Sequence, residues 1–427
     1  MTEITAAFEL EARRLDAEDE LAAFREEFFV TAGDIYLDGN SLGLLSRRSE
    51  AAVLRVLDEW KTLRVEGWTA ASSPWFTLAE ALARETASLV GAHADEVITT
   101  NSTTVNLHQL IATLYHPEDP RACLLTDELS FPSDRYALES QLRLHGHDPA
   151  TYLVLVPSSD GLTLDEDDIV AAMSARIQVA VLPAVIYTSG QLLDIERLTR
   201  TARDRKILIG FDCSHSIGVL PHHLSEWGVD FAFWCGYKYL NGGPGAAGGI
   251  YLNRRHHGSG PGLAGWFSSD KSRQFDMSPH LLPAGTASAL QIGTPNILSM
   301  APLQGALEVI AEAGIERVRR KSLALTQLIR NIVTTELGPY AVTVKTPDTD
   351  SRRGGHIAVH HREAALICKA LRASGVVVDH RPPEIIRLAP SPLYTRFVDC
   401  VEAVRGFKAA IVGESYKAFA PDRQLLP

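Results

Sequence analysis

Gly236-Tyr237-Lys238-Tyr239-Leu240-Asn241-Gly242-Gly243-Pro244-Gly245, read with the upstream Gly210-Phe211-Asp212-Cys213-Ser214-His215, decides the fold. Residues 207–212 and 231–235 are short apolar runs rich in β-branched and aromatic residues, so each reads as a buried strand. The first ends in a carboxylate, Asp212; the second leads directly to an amine, Lys238. Residues 123–126, 152–156, 179–187 and 249–252 are runs of the same kind, interleaved with helical patterns at 165–176 and 194–205. Near-continuous apolar strands alternating with helices predict an α/β chain with a mostly parallel central sheet and helices on both faces. Ligands of such sheets gather at the carboxyl ends of the strands, where Asp212, His215 and Lys238 would lie.

Outward from that sheet, the helical pattern at 46–64 puts Val53, Leu57, Trp60 and Leu63 on roughly one face. Another helix is expected at 75–90, opening after Pro74 and turning Leu78, Leu82 and Leu89 inward. Asn101-Ser102-Thr103-Thr104 supplies a row of N-cap candidates for a helix at 105–115. Beyond Pro302 the pattern changes. A long helical stretch at 303–337, broken near Gly314, precedes short strands at 341–344, 357–359, 376–378 and 385–388 and a last helix at 395–412. The expected division is a large domain over 70–300 and a smaller α+β domain made of 1–69 with 301–427.

The 427 residues are 45% hydrophobic and 22% charged, the composition of an ordinary globular protein. A net charge of −11 argues against a nucleic-acid surface. No apolar run is long enough for a membrane span. The acidic first 27 residues read as neither a secretion signal nor a transit sequence. Five dispersed cysteines without C-x-x-C spacing fit reduced thiols in the cytoplasm. His222-His223, His256-His257 and His360-His361 are adjacent pairs, not the three- or four-residue spacing of helical ligands, so no metal is expected.

An acid and a lysine so placed suit pyridoxal phosphate. The lysine forms a Schiff base with its aldehyde, and the acid pairs with the pyridine nitrogen, making the ring an electron sink. A turn lysine and a helix-capping acid would give the same two letters, so the flanking motifs decide. Those are Leu37-Asp38-Gly39-Asn40-Ser41-Leu42-Gly43, Ser102-Thr103-Thr104-Val105-Asn106-Leu107, Phe131-Pro132-Ser133-Asp134, Gly265-Trp266-Phe267 and Arg387-Leu388-Ala389-Pro390-Ser391-Pro392-Leu393-Tyr394. With the Asp212 and Lys238 stretches, and in this order, they resemble kynureninase over nearly the whole chain. Kynureninase is a pyridoxal-phosphate enzyme of the fold-type I, aminotransferase-like superfamily.

The resemblance implies hydrolysis of the Cβ–Cγ bond of L-kynurenine, or a ring-substituted kynurenine, to anthranilate and L-alanine. Such enzymes serve tryptophan catabolism, NAD biosynthesis or secondary metabolism. Lys238 would carry the cofactor and move protons at the α-carbon, Asp212 would face the ring nitrogen, and Tyr237 would bind phosphate and relay a proton. His215 and Asp134 match family positions near the cofactor; His215 could equally be a satisfied polar residue opening a helix. Thr103 and Thr104 match the phosphate cradle and are also plain N-cap candidates. Phe131 would stack on the ring, with core packing as its alternative. Trp266 and Thr294 match positions that reach the phosphate from a second subunit, implying a homodimer with shared sites; Trp266 would also suit a core or interface. Arg387 would take the substrate carboxylate, or else a structural ion pair. Ser41 and Trp68 would line the aromatic pocket.

Two departures stand out. Ser268-Ser269-Asp270 follow Gly-Trp-Phe where the family often has Gly-His, and Trp68 and Thr294 stand where family members that prefer 3-hydroxykynurenine have a histidine and an asparagine. The resemblance then implies either a preference for unsubstituted kynurenine or, equally, a modified kynurenine of a specialised pathway. A cysteine desulfurase or selenocysteine lyase would share the fold but needs a reactive cysteine on a late flexible loop; Cys368 and Cys400 fall in helical, partly apolar stretches. A non-catalytic pyridoxal-phosphate-binding protein would not need Lys238, Asp212, Tyr237 and Arg387 together. Gly243-Pro244-Gly245-Ala246-Ala247-Gly248 spells G-x-G-x-x-G but runs into a strand, so a dinucleotide fingerprint is excluded.

Overall fold

The computed structural model describes residues 4–258 and 260–420; the outer ends of the expected 1–69 and 301–427 spans lie outside the described residues. Seven strands form the main sheet in the order Val97–Thr100, Gly248–Leu252, Phe231–Trp234, Leu208–Asp212, Ile177–Pro183, Cys123–Asp127, Leu153–Val156. The last five are mutually parallel, and both antiparallel pairings belong to Gly248–Leu252. Successive residues of the inner strands are buried, as in Phe231–Trp234 and Ile177–Pro183, so both faces of the sheet are covered. This is the mostly parallel α/β sheet expected from the sequence. Val97–Thr100 was not expected as a strand. Its four residues sit between a charged turn, 94–96, and the N-cap cluster, too short a run to display a period.

Because Gly248–Leu252 runs against its two neighbours, Val97–Thr100 points the same way as the parallel five. The segments leaving Thr100, Asp127, Pro183, Asp212 and Trp234 therefore emerge along one edge of the sheet.

The helix Arg47–Leu63 exists, opened by Ser46, whose side chain accepts from the backbone N–H of Ser49. Its inward face is not the expected one. Ser49, Ala52 and Val56 are buried, whereas Trp60 is 59% exposed. Small residues win that face because the partner helix Ile297–Ala313 comes in at backbone distance. A Cβ on Gly305 would lie 2.2 Å from the Arg48 carbonyl carbon, and Ser49 Oγ donates to the Pro302 carbonyl at 2.9 Å. Ile297–Ala313 crosses residue 300, the expected domain boundary, and Leu303, Leu307 and Ile310 lie in the same core as the large sheet.

A second core joins the two ends of the chain. Ile4, Ala12 and Leu37 pack with Leu325, Ile329, Ile357, Ile386 and Phe407. Ile35–Tyr36 pairs in parallel with Val376–Val377, and a four-stranded antiparallel sheet follows the order Asp379–Arg381, Ile385–Leu388, Ile357–His360, Thr343–Val344. Asp16 accepts from the backbone N–H groups of Phe397 and Val398 at 2.7 and 3.0 Å, satisfying the first orphan donors of Phe397–Val412.

Glu336 ties this unit to residue 5. It accepts from the Thr5 N–H at 2.9 Å and from Lys408 Nζ at 2.7 Å. Burial pushes its carboxyl up, but the bonds from Lys408 and Thr5 outweigh that and hold it near 2, against 4.5 ordinarily. A depressed carboxylate contributes stability above its unfolded value and loses it as pH falls through the folded one. In thermal melts, Glu336→Gln should therefore lie below the wild type from about pH 5 upward, and the gap should close between about pH 5 and 2. A gap independent of pH would mean that the charge plays no part.

Candidate active site

At the shared sheet edge, Lys238 Nζ bonds His215 Nε2 at 2.9 Å and stands 5.8 Å from the centre of the Phe131 ring. His215 arrives on the turn after Leu208–Asp212, where Asp212 accepts from the Ser214 N–H at 2.8 Å. Phe131 arrives on the segment after Cys123–Asp127, held at the start of the helix Pro132–Leu144 by Pro132. Tyr187, on the segment after Ile177–Pro183, completes the wall: its ring meets Phe131 edge-on at 5.2 Å and lies 6.3 Å from His215.

The charges here are close and poorly solvated. Asp134 is buried in the first turn of its helix, and its carboxyl is pushed well up by burial first and the Asp212 charge second, with Lys238 opposing. His215 is pushed well down by burial, then by Lys238 and Arg387, so its imidazole is neutral. The Tyr237 hydroxyl is raised by burial and by Cys235 beside it. On the same edge the helix Thr103–Leu114 begins at Ser102, whose side chain makes no capping bond. Its first N–H groups are thus available to an anion. Gly248 holds it close: a Cβ there would sit 2.6 Å from the Trp234 carbonyl oxygen and 3.4 Å from the Thr103 nitrogen.

The loop around Ser41 comes from the far end of the chain. Gly43 N–H donates to the Tyr237 carbonyl at 2.8 Å, and a Cβ on Gly43 would fall 2.5 Å from the Lys238 carbonyl oxygen, so no other residue fits without displacing the lysine loop. The Leu37 carbonyl accepts from Ala389 N–H at 2.7 Å, bringing Ser41 to the strand Ile385–Leu388. There Arg387, fully buried, donates Nη1 to the Tyr187 carbonyl at 2.8 Å and Nη2 to Ser41 Oγ at 3.2 Å, and forms an ion pair with Asp379. Its Nε has no partner among the described residues. Burial draws its guanidinium down to about 10, with Asp38 opposing. Both readings of Arg387 thus have a physical basis: it is paired inside the protein and retains an unused donor.

Trp68, Trp266 and Thr294 line a different place, an open apolar hollow of about 570 Å³ with Val65, Phe76 and Phe275. Trp266 meets Phe275 edge-on at 5.8 Å, and the two are 41% and 71% exposed. Ser268, one of the departures, is buried; its hydroxyl accepts from Gly265 N–H at 3.0 Å and donates to the Gln291 carbonyl, fixing the turn that carries Trp266.

Sequence reasoning does not single out Tyr187, His356, Asp379 or Arg381. Tyr187 follows the carboxyl end of a central strand, the same signal that marks Asp212 and Lys238. The other three reach the site through pairing in the smaller sheet and its docking, which no local pattern announces. Among the described residues, no group of His, Cys, Asp and Glu could hold a metal ion, and no helix is long and apolar enough to cross a membrane.

The model of the kynureninase C-terminal domain matches residues 318–407. The chain is 54% identical over 415 residues to a protein named kynureninase from Geobacillus thermodenitrificans (strain NG80-2), covering 97% of each. It is 52% identical, at the same coverage, to one of that name from Shouchella clausii (strain KSM-K16). Among solved structures it resembles a cysteine desulfurase from Thermococcus onnurineus NA1 in its apo form, with a TM-score of 0.77 at 18% identity over 93% of this chain and 98% of that one. A C-DES mutant with glycine covalently linked to its PLP cofactor gives 0.78 at 16% identity, over 91% and 99%. At such identities these two establish a common fold and nothing further.

Proposed function

Since the chain belongs to the kynureninase family, we propose that the cluster around Lys238 is the active site of a pyridoxal-phosphate-dependent hydrolase cleaving the Cβ–Cγ bond of L-kynurenine to anthranilate and L-alanine. The observation that carries this reading is convergence. Lys238, His215, Phe131 and the uncapped start of Thr103–Leu114 occupy one edge of one sheet, with Asp212 and Asp134 as buried neighbours. The donor set fits the cofactor, because the Asp212 charge beside the raised Asp134 carboxyl would gain a cationic partner in a protonated heterocycle nitrogen. Bound there, pyridoxal phosphate supplies the electron sink for breaking bonds at the amino acid's carbons.

The rest of the work falls to the protein's own groups. Lys238 Nζ would hold the cofactor and carry a proton to and from the substrate α-carbon. The Asp212 carboxylate would pair with the ring nitrogen, with Asp134 and His215 as neighbours. Phe131 would pack against the ring. The first turn at Thr103 and Thr104 would receive the phosphate through N–H groups and hydroxyls. Arg387 binds the α-carboxylate, supported by Ser41. Tyr237, raised so that it stays protonated near neutrality, donates to oxygen and relays a proton. Trp266, Thr294 and Trp68 complete the site of a second copy of the chain. Their exposed apolar hollow is the kind of surface that a homodimer would cover, and this is the support for shared sites. A cytoplasmic setting in tryptophan catabolism or NAD biosynthesis goes with this reading, as does a preference for unsubstituted kynurenine.

All five cysteines are buried, so none is placed to accept sulfur as a desulfurase would require. The test is to give the holoenzyme L-kynurenine and, separately, L-cysteine. Anthranilate fluorescence with the first and no sulfide from the second is expected; sulfide without anthranilate would overturn the assignment.

A further inference from the structure

His356 is fully buried and belongs to no motif that marks the site. It lies just before the strand Ile357–His360, on a segment clasped by the loop after Ile177–Pro183. Gly354 N–H donates to the Gly190 carbonyl at 2.8 Å, and Gln191 bridges Arg353. The glycines make that clasp tight. A Cβ on Gly190, which has φ +76°, would fall 2.8 Å from the His356 carbonyl oxygen and 3.2 Å from its Nε2; one on Gly355 would fall 3.0 Å from the Tyr239 hydroxyl.

The clasp puts the His356 ring against that of His215, at 6.0 Å between centres and 61° between planes, an edge-to-face arrangement. Among the described residues, neither ring nitrogen of His356 has a hydrogen-bond partner of good geometry, the Thr188 backbone offering only a loose approach. His215 Nδ1 is likewise unpartnered. At 2.9 Å from His215 Nε2 a protonated Lys238 amine can only donate, and that assignment puts the ring proton of His215 on Nδ1. What fixes the His215 imidazole is therefore not a second hydrogen bond. It is the rings packed against it, His356 at 6.0 Å edge-to-face and Tyr187 at 6.3 Å in a tilted contact.

We propose that His356 is a positioning residue for Lys238, acting through His215: its ring locks the His215 imidazole so that Nε2 stays turned towards Nζ. This rests on reading Lys238 as the cofactor-bearing lysine. The charges around the pair favour two neutral rings. Lys238, Arg387 and Arg381 face them from three separate segments, and burial acts in the same direction; Asp212 and Asp134 face Lys238, while Asp379 and Asp38 face Arg387. Deleting the His356 ring lets His215 turn away, and the proton on Nζ loses its acceptor.

The experiment is a pH titration of the visible absorption of the holoenzyme, with kcat/KM measured alongside. His356→Leu and His356→Met delete the ring, whereas His356→Phe keeps its shape and loses both nitrogens. The ring-deleting variants should lower the midpoint by about one pH unit, a tenfold change in protonated fraction. They should also lower kcat by roughly tenfold or more with little change in KM, as loss of a supporting contact does. His356→Phe should restore both to near wild type. If Leu and Met leave the midpoint where it was, or if Phe is as impaired as they are, the positioning role is overturned; if Leu does not fold, Met against Phe decides. Borohydride reduction of the wild-type holoenzyme, followed by peptide mass analysis, separates this outcome from the underlying reading. A tag on any residue but Lys238 sinks that reading, and a tag on Lys238 leaves only His356 in question.

Discussion

Lys238→Ala should lose the visible absorption of the bound cofactor and at least roughly 10⁴-fold in kcat, the scale on which removal of a covalent catalyst is felt. Two proposed functions would vanish with one amine, because the same group would hold the cofactor and ferry the proton. The fold should be spared. Lys238 is only partly buried, its amine bonds a single one of the described residues, His215, and the loop is held independently by Gly43 N–H on the Tyr237 carbonyl and Asn241 N–H on the Lys238 carbonyl. Melting within a few degrees of wild type, together with the spectral loss, is the expected pair of results. A variant that keeps an imine band and full turnover would remove Lys238 from the mechanism.

Arg387→Leu is the second large effect, and it separates two roles that share one side chain. Deleting a fully buried guanidinium leaves Asp379, itself fully buried, with Arg381 at 3.1 Å as its remaining cation. An abandoned buried charge typically costs 3–5 kcal/mol, and the surviving Arg381 contact places this case near about 3 kcal/mol. Loss of the substrate carboxylate contact should lower kcat/KM by roughly a thousandfold, about 4 kcal/mol. Arg387→Leu combined with Asp379→Asn removes the abandoned charge, so the melting temperature should recover while kcat/KM stays low. Recovery of both together would mean that Arg387 serves only the ion pair.

The central sheet is legible in the sequence because its strands are covered on both faces and so appear as unbroken apolar runs, as at Phe231–Trp234. Lys238 and Asp212 are legible for a related reason: each lies at or just beyond the carboxyl end of such a run, whereas Phe131 is marked by the family resemblance alone. What escapes is set by contacts distant in the chain. The inner face of Arg47–Leu63 could not be assigned by counting apolar residues, because close approach to Gly305 selects Ser49 and Ala52 over Trp60. His356 and Asp379 carry no local pattern at all. Their place depends on how Gly190 meets Gly354 and on the antiparallel register that sets Asp379 beside Arg387.

The bond between Arg387 and Ser41 spans 346 positions. A ribosome-bound chain that has already folded its sheet around Lys238 and Asp212 still lacks the strand Ile385–Leu388, and with it the guanidinium proposed to grip a carboxylate. The half of the pocket that would hold the cofactor can thus mature during synthesis, while the half that would select the amino acid waits for the final strand to meet a loop made near the outset.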